Sequence, residues 1–386
     1  MVDKNERYAV VISAMFFVNG AVFANWLPRV DEVRDRIGVS NGGLGVALLG
    51  GGLGGVVASF VVAAMLSRFS ALAVLRVSST MLALSFPLLA IVPSQATLMG
   101  LVAFFGFLDV FTDLSMNAEA AAVQKVTTKS IMQRVHGMWS LGFLSGTLVG
   151  WAASVADVPL GLHLSLATVA LLAVSQVAIV QLRGVEVDDA PVSSPTNVRF
   201  SAAVVSIVLL AFGTAAFEIT PNEWSTVALR DQFAAGNLKG AGPVAFAIAM
   251  LIGRFRGDAL VDRRGPQTVL RDALLVVGLG ILVVVVAPHA LVALVGFFLW
   301  GLGVSVMFPQ LYLMAATSHS TNAGAGLAAM ALAQRAGFLC TTVSIGVLSE
   351  NMSFRATFGI LLVVAGIFFA SGLTRYRSNS STDILG

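Results

Sequence analysis

Three polar residues at a spacing of four carry the clearest chemistry in the sequence: Asp109, Asp113 and Asn117. On a helix, positions i, i+4 and i+8 lie on one face. A charge at the centre of a membrane helix costs about 2.5–3.5 kcal/mol on insertion scales, so such residues face a cavity or a partner. Burial and mutual repulsion both favour a protonated carboxyl, which suits a group that loads and releases a proton. The structural alternatives are an ion pair with Arg134 or Arg335, or solvation near the membrane rim.

Composition places these acids in a membrane. Hydrophobic residues form 57% of the 386-residue chain and charged residues 11%, against about 25% charged in soluble domains. A helix needs about 20 apolar residues to cross the hydrocarbon core. The predicted segments are 8–27, 41–65, 72–92, 96–118, 135–155, 160–182, 201–225, 240–260, 269–287, 290–316, 323–347 and 354–374. The predicted fold class is all-α integral membrane, with twelve transmembrane helices.

Two short basic segments suggest that the chain consists of two pseudo-symmetric halves of six helices. Arg68 and Arg76 recur half a chain later as Arg263 and Arg271, and a Val-Leu pair precedes the second arginine both times. Many secondary transporters have repeated halves and hold their substrate near the bilayer midplane. The predicted division is an N-terminal six-helix bundle (1–182), a cytoplasmic linker (183–200) and a C-terminal six-helix bundle with a short cytoplasmic tail (201–386).

The distribution of basic residues predicts the orientation. With the N-terminus in the cytoplasm, most of the 23 lysines and arginines, Arg254 among them, fall on the cytoplasmic side, in agreement with the positive-inside rule. Both termini are then cytoplasmic, because the number of crossings is even. The N-terminal segment has no small-residue cleavage site, so we expect it to remain as the first membrane helix.

The sequence argues against an enzyme, a cofactor site and a metal site. The glycine-rich second segment lacks the G-x-x-x-x-G-K-[ST] pattern that holds phosphate, so ATP-driven transport is not expected. The H-E-x-x-H motif is absent, and four scattered histidines with the single Cys340 offer no recognisable zinc site. The net charge of +3 is better explained by basic residues at one membrane face than by nucleic-acid binding.

Two further charged or titratable residues lie in predicted membrane segments. Arg335 stays protonated and needs either an acid or an anionic substrate, and Glu218 is the nearest acid by depth. Both possibilities are open. His136, at the start of the fifth segment, could sense the proton that Asp113 releases, or it could serve only in hydrogen bonding.

Pro221 is expected to break the seventh helix, because proline removes a backbone donor. Free carbonyls are tolerated at membrane depth only where they line a cavity or are buried in protein. Glu218, Asn222 and Trp224 are therefore predicted to form the outer wall of a pathway. For Trp224 the alternative is a place in the aromatic belt at the membrane interface.

Several motifs resemble the major facilitator superfamily over essentially the whole chain. The stretch 257–265, Gly-Asp-Ala-Leu-Val-Asp-Arg-Arg-Gly, is similar to the family's loop signature between the second and third helices of a half. The first half keeps Arg68 but has Ser67 and Ser70 where the signature has Asp and Gly. More narrowly, the stretches 23–28, 116–119 and 136–142 resemble the bacterial inner-membrane permease branch related to fucose–proton symporters.

This resemblance implies roles for particular residues. In the fucose permease type, an acid four positions before an asparagine in helix four takes part in substrate binding and proton coupling, and Asp113 and Asn117 match that spacing. The acid that these relatives carry in helix one has no counterpart, where Asn19 and Asn25 are the polar candidates. Helices one, four, seven and ten surround the cavity in this superfamily. The predicted substrate-binding residues are Asn19, Asn25, Asp113, Asn117, Glu218, Asn222, Trp224, Trp300, Gln310 and Arg335, and the predicted proton-coupling residues are Asp113, Asp109 and His136.

The loop signature predicts a gate at the cytoplasmic face rather than a substrate site. The gating residues would be Arg68, Asp258, Asp262, Arg263 and Gly265. Asp262 would hold Arg263 or a helix N-terminus through charge attraction. Gly265 would permit the tight turn into helix nine.

The sequence therefore predicts a secondary transporter that works by alternating access, as a monomer in the bacterial inner membrane. Symport of a small polar, sugar-like solute with protons is the leading hypothesis, and proton-antiport efflux of a drug or metabolite is the alternative. The small-residue stripe of Gly142, Gly146 and Gly150 lacks the Gly-Pro pairing typical of drug antiporters, which favours a polar solute. A membrane sensor would need an output domain, which the tail from Arg375 to Gly386 hardly supplies.

Overall fold

Every regular element is a helix in the part of the chain that the computed structural model describes, residues 4–127, 131–182, 202–316 and 323–371. The N-terminal half contains α1 (Lys4–Ala24), α2 (Val30–Ile37), α3 (Asn41–Leu66), α4 (Ala71–Ser85), α5 (Gln95–Thr127), α6 (Met132–Val155) and α7 (Leu160–Leu182). The C-terminal half contains α8 (Ala202–Phe233), α9 (Ala241–Arg264), α10 (Pro266–Val286), α11 (Ala290–Val304), α12 (Met307–Ala316), α13 (Ala323–Asn351) and α14 (Phe354–Ala370). The predicted linker lies outside the described residues.

These helices form twelve membrane crossings in two halves of six, which confirms the predicted fold class. In the described ranges, eleven helical stretches are long and apolar enough to cross a membrane, and the shorter apolar α14 is the twelfth. The charged α2 lies between the first two crossings, and α11 and α12 together form the tenth. The helices α5 and α8 extend beyond the predicted ends at 118 and 225, to Thr127 and Phe233.

The interrupted membrane helix is the tenth and not the seventh. The helix α8 runs through Pro221 without a break, so the prediction that Pro221 breaks the seventh helix is wrong. In the tenth crossing, α11 ends at Val304 and α12 begins at Met307. Pro309 lies in the first turn of α12, where proline is tolerated, and it has no N–H for the carbonyl of Ser305 four residues earlier.

Apolar side chains cover the outside of the bundle. Phe60 is 83% exposed, Val169 67% and Val363 62%. In water such a surface would be an aggregation liability. In a membrane, lipid tails are its solvent, which explains why a chain this apolar can fold.

The two halves meet mainly where α3 crosses α13. A Cβ atom at Gly45 would lie 2.9 Å from the carbonyl oxygen of Thr342, and one at Gly346 would lie 2.6 Å from that of Asn41. Small residues let membrane helices approach this closely. The glycine-rich second segment is therefore a packing surface between the halves.

Candidate functional site

The polar face of α5 presents two acids at different degrees of burial. Asp113 is exposed and Asp109 is half-buried. Asn117 donates through Nδ2 to Oδ1 of Asp113 at 3.0 Å and to the Asp113 carbonyl at 2.9 Å. Neither aspartate forms a salt bridge with a basic residue in the described ranges. The stacking of these three residues on one helical face is confirmed.

Asn19 connects Asp109 to the neighbouring helix α6. Its Nδ2 donates to Oδ1 of Asp109 at 3.2 Å, and its Oδ1 accepts a hydrogen bond from Nε1 of Trp139 at 2.9 Å. Asn19 is only 8% exposed. The structure thus places the predicted polar residue of the first crossing in contact with a predicted proton-coupling acid.

Arg254, from the other half, completes this polar chain. Its Nη1 donates to Oγ of Ser140 at 2.7 Å, and its guanidinium lies 5.9 Å from the centre of the Trp139 ring. Its Nη2 also lies 3.9 Å from Oε1 of Glu218 on α8. Polar contacts therefore run from Asp109 in one half to Glu218 in the other.

Sequence reasoning missed Arg254 and grouped it with the cytoplasmic arginines. Arg254 lies near the linker-side end of its crossing, three residues before Gly257, where the apolar stretch 236–257 ends. Its side chain reaches inward to Glu218, which lies in the middle of α8. An arginine this close to the end of a crossing resembles a surface residue in the sequence, which is why it was missed.

Arg335 does not pair with Glu218, so that expectation is wrong. Its Nη1 donates instead to the hydroxyl of Ser59 on α3 at 2.5 Å, while Glu218 has Arg254 as its cation. Among the described residues, no salt bridge joins Arg335 to Asp113.

His136 lies one turn before Ser140 on α6 and is exposed. Its ring packs edge-on against Phe16 with the centroids 5.2 Å apart. Its backbone carbonyl accepts a hydrogen bond from Oγ of Ser140 at 3.2 Å, and the same hydroxyl accepts one from Arg254. The histidine thus stands beside the contact between the halves.

Two predicted pathway tryptophans lie in the protein core instead. Trp224 has no exposed surface and packs against Phe354, with ring centroids 6.3 Å apart. Trp300 has none either, and its ring lies 6.1 Å from Phe297 and 5.8 Å from Phe358. In this conformation neither lines a pathway, and Trp224 does not belong to an interfacial belt.

Three predicted polar residues have different surroundings. Asn25 is buried away from the acids, with Oδ1 3.1 Å from Nε2 of His163. Asn222 is half-buried, and its Nδ2 donates to the Glu218 carbonyl at 2.9 Å. Gln310 is 6% exposed, and its Oε1 has no hydrogen-bond partner among the described residues. Of these three residues, Asn222 contacts one of the acids of the site, Glu218.

A second acid on α8 was missed. Glu223 is half-buried, and its Oε2 accepts a hydrogen bond from Oγ1 of Thr342 at 2.7 Å. The sequence analysis assigned it no role. The extension of α8 to Phe233 moves it into the membrane.

The family follows from comparison with known proteins. A model of the Major Facilitator Superfamily matches residues 9–339. The chain belongs to this superfamily. An uncharacterized MFS-type transporter of Yersinia pestis is 30% identical over 360 residues, which cover 91% of this chain and 92% of that protein. The membrane protein MosC of Rhizobium meliloti is 26% identical, with 98% of this chain and 93% of that protein covered.

Solved structures share the fold at low sequence identity. The nucleoside transporter NupG, as a D323A mutant, has a TM-score of 0.77 at 12% identity, covering 96% of this chain and all of that one (100%). A D-xylose-proton symporter has a TM-score of 0.76 at 12% identity, with 96% and 99% covered. The transporter FucP, in its outward conformation, has a TM-score of 0.64 at 13% identity, with 96% and 100% covered. The resemblance to this superfamily is thereby confirmed.

The superfamily's loop signature lies at the linker-side end of the molecule. Arg68, Asp262 and Arg263 are exposed, and their side chains form no hydrogen bond or salt bridge with another described residue. The expected contact between Asp262 and Arg263 is therefore not formed. The side chain of Asp258 lies outside the described part of the structure.

Gly265 makes the tight turn that the sequence predicted. It joins α9 to α10 with a φ of 76° and a ψ of 153°, a region essentially restricted to glycine. Its N–H donates to the Val261 carbonyl at 2.8 Å. Beside it, Arg264 pairs with Asp272 at 3.1 Å.

At the other end, ion pairs join the two halves. Asp31 on α2 accepts from Nζ of Lys239 at 2.7 Å and from Nη1 of Arg230 at 3.1 Å. Arg34 donates to Oδ2 of Asp231 at 2.6 Å. We call these five residues the interhalf ion cluster. It closes the end of the molecule that is predicted to face outward.

Proposed function

We propose that this superfamily member is a proton-coupled symporter of a small polar, sugar-like solute. It would work by alternating access in the bacterial inner membrane, with both termini in the cytoplasm. The observation that carries the proposal is the environment of the Asp113 side chain. This acid is exposed at membrane depth, with Asn117 as its hydrogen-bond partner.

A carboxyl in that position can change its protonation state. It has no salt bridge to a described residue that would hold it ionised, and the solvation cost inside a membrane favours the neutral form. The hydrogen bond that Asn117 donates favours the ionised form. These opposed influences suit a group that binds and releases a proton during a cycle.

The solute class is inferred from polar side chains on the helices α5, α8, α12 and α13. Asn117, Asn222, Tyr312 and Arg335 offer both donors and acceptors, and the hydroxyl of Tyr312 donates to Oε1 of Gln334 at 3.0 Å. Such groups recognise hydroxyl-bearing solutes. NupG is a nucleoside transporter and another fold relative is a D-xylose-proton symporter, so both solute types belong in the first screen.

Asp113→Asn tests the coupling. Purified protein is first screened by thermal shift against sugars, polyols, nucleosides and drugs, and a binder is then assayed in proteoliposomes with an imposed pH gradient. We expect the variant to lose gradient-driven accumulation almost completely, because the amide cannot carry a proton. Exchange of the solute across the membrane should persist in part.

Asp157→Asn is the matched control. Asp157 is exposed in the connection between α6 and α7 with a φ of 53°, a conformation that asparagine tolerates well. Its variant should accumulate solute as the wild type does. Wild-type accumulation by Asp113→Asn would refute the role of Asp113, and accumulation under the opposite gradient would favour antiport.

A further inference from the structure

Glu223 lies deep in the membrane at the junction of two helices. It is ten residues before Phe233, the last residue of α8, or roughly 15 Å along the helix. Its carboxylate reaches Thr342 of α13 and accepts a hydrogen bond at 2.7 Å. A neutral hydroxyl is thus its described partner.

The charged and titratable groups on the neighbouring helices are engaged elsewhere. On α9, Arg254 lies against Glu218, and on α14, Arg355 donates to the Ala287 carbonyl. On α2, Asp31 and Arg34 belong to the interhalf ion cluster, Glu32 pairs with Arg29 and Asp35 with Arg230, and Arg36 donates to the Leu89 carbonyl. The remaining groups are Tyr312 of α12, bonded to Gln334, and Arg335 and Glu350 of α13, bonded to Ser59 and to the Gly42 N–H. None of these forms a salt bridge with Glu223.

An ionised carboxylate in this position is unfavourable. A charge inside the membrane costs several kcal/mol unless a counter-charge or water compensates it, and one hydroxyl supplies neither. The neutral acid keeps a hydrogen bond with Thr342 and carries no charge to solvate. The geometry therefore favours a bound proton in this conformation.

We propose that Glu223 is a second proton-carrying residue, placed in the C-terminal half, whose protonation is tied to the contact between α3 and α13. As a carrier in the cycle it rests on the proposed proton-coupled transport. It differs from Asp109 and Asp113 in belonging to the other half and in holding two helices together.

The link to the contact between the halves follows from the position of Thr342. Its carbonyl oxygen is the atom that approaches Gly45 of α3, and one turn later Gly346 contacts both Asn41 and the Trp224 ring. Separation of α3 from α13 would admit water beside Thr342. Water would solvate an ionised Glu223, so opening this contact and releasing the proton favour each other.

Infrared difference spectroscopy of the purified protein tests the proton directly. A protonated carboxylic acid has a C=O stretching band that a carboxylate lacks. We expect Glu223→Gln to lose the part of this band that Glu223 contributes at neutral pH. Thr342→Val should shift the frequency of that part, because the hydrogen bond from Thr342 to Glu223 is removed. Glu32→Gln is the matched control, since Glu32 pairs with Arg29 at 2.8 Å and should be ionised. Identical spectra for Glu223→Gln and wild type would overturn the proposal.

Larger side chains between α3 and α13 test whether the protonation of Glu223 depends on the contact between these helices. Gly45→Leu should force α3 away from Thr342 and reduce the Glu223 part of the band, and Gly45→Ala should do so to a smaller extent while folding more readily. Gly100→Leu is the control, because a Cβ atom there meets nothing within 4 Å. An unchanged band in folded Gly45→Ala and Gly45→Leu proteins would overturn the link. Neither measurement uses a solute, so a failed accumulation assay refutes the proposed transport separately.

Discussion

Charged residues have opposite environments at the two ends of the molecule. At the end predicted to face outward, Asp31 has no exposed surface and Arg34 is 8% exposed, and both bind residues of the other half. At the linker-side end, Arg68 and Asp262 are exposed and form no hydrogen bond or salt bridge with a described residue. Charges at the first end hold the halves together, whereas Arg68 and Asp262 can be solvated.

This difference indicates that only one of the two ends holds the halves together in this conformation. A buried ion pair costs solvation energy, so it contributes mainly specificity of the contact. It can also come apart reversibly, because water stabilises the separated charges. The interhalf ion cluster therefore fits a closure that forms in one conformation, whereas the signature loop makes no such closure in this conformation.

The largest effect is expected from Asp31→Asn. This change removes the acceptor charge for Lys239 and Arg230, and hydrogen bonds to charged groups contribute about 1.5–3 kcal/mol each. We expect a loss of about 1–3 kcal/mol in unfolding free energy, measured by thermal or denaturant unfolding in detergent. An equally large loss for Asp262→Asn would contradict the comparison of the two ends.

A double-mutant cycle on Arg34 and Asp231 should give a smaller effect. The two side chains form a bond at 2.6 Å across the halves, but the Asp231 side chain is 32% exposed. Arg34→Gln and Asp231→Asn, singly and combined, should show a coupling of about 0.5–1 kcal/mol, at the low end of values for residues in contact. A coupling near zero would mean that this pair contributes nothing to the closure and that Asp31 alone matters.

The smallest effect on stability is expected at the signature loop. Asp262→Asn should change the unfolding free energy by less than about 0.5 kcal/mol, as for other exposed positions. We still expect slower turnover with unchanged solute specificity, if this loop gates the cytoplasmic side. Ser67→Ala, the corresponding change in the first half, should slow turnover much less. Equal slowing by the two variants would refute an asymmetric gate.

The helical framework could be predicted because it depends on local properties. Long apolar stretches can satisfy their backbone in a membrane only as helices, so counting them gave the twelve crossings. The spacing of Asp109, Asp113 and Asn117 placed them on one face in the same way. Gly265 could be predicted because its turn requires a conformation that other residues avoid.

The membrane helices that were misjudged show the limit of such reasoning. Pro221 and Pro309 both lack an N–H, yet only the tenth crossing is interrupted. The energy of one missing hydrogen bond is similar at the two sites. Packing of the neighbouring helices decides whether the helix continues, and a single segment of sequence does not contain that information.

Sequence alone determined the class of protein, the number of crossings and the face of α5 that carries the acids. Only the tertiary structure decided the partners: Arg254 for Glu218, Ser59 for Arg335 and Thr342 for Glu223. The physical reason is that apolar residues face lipid and protein alike in a membrane helix, so hydropathy does not show which side meets which helix. The partners come from helices far apart in the chain, and their choice follows from how the two halves pack.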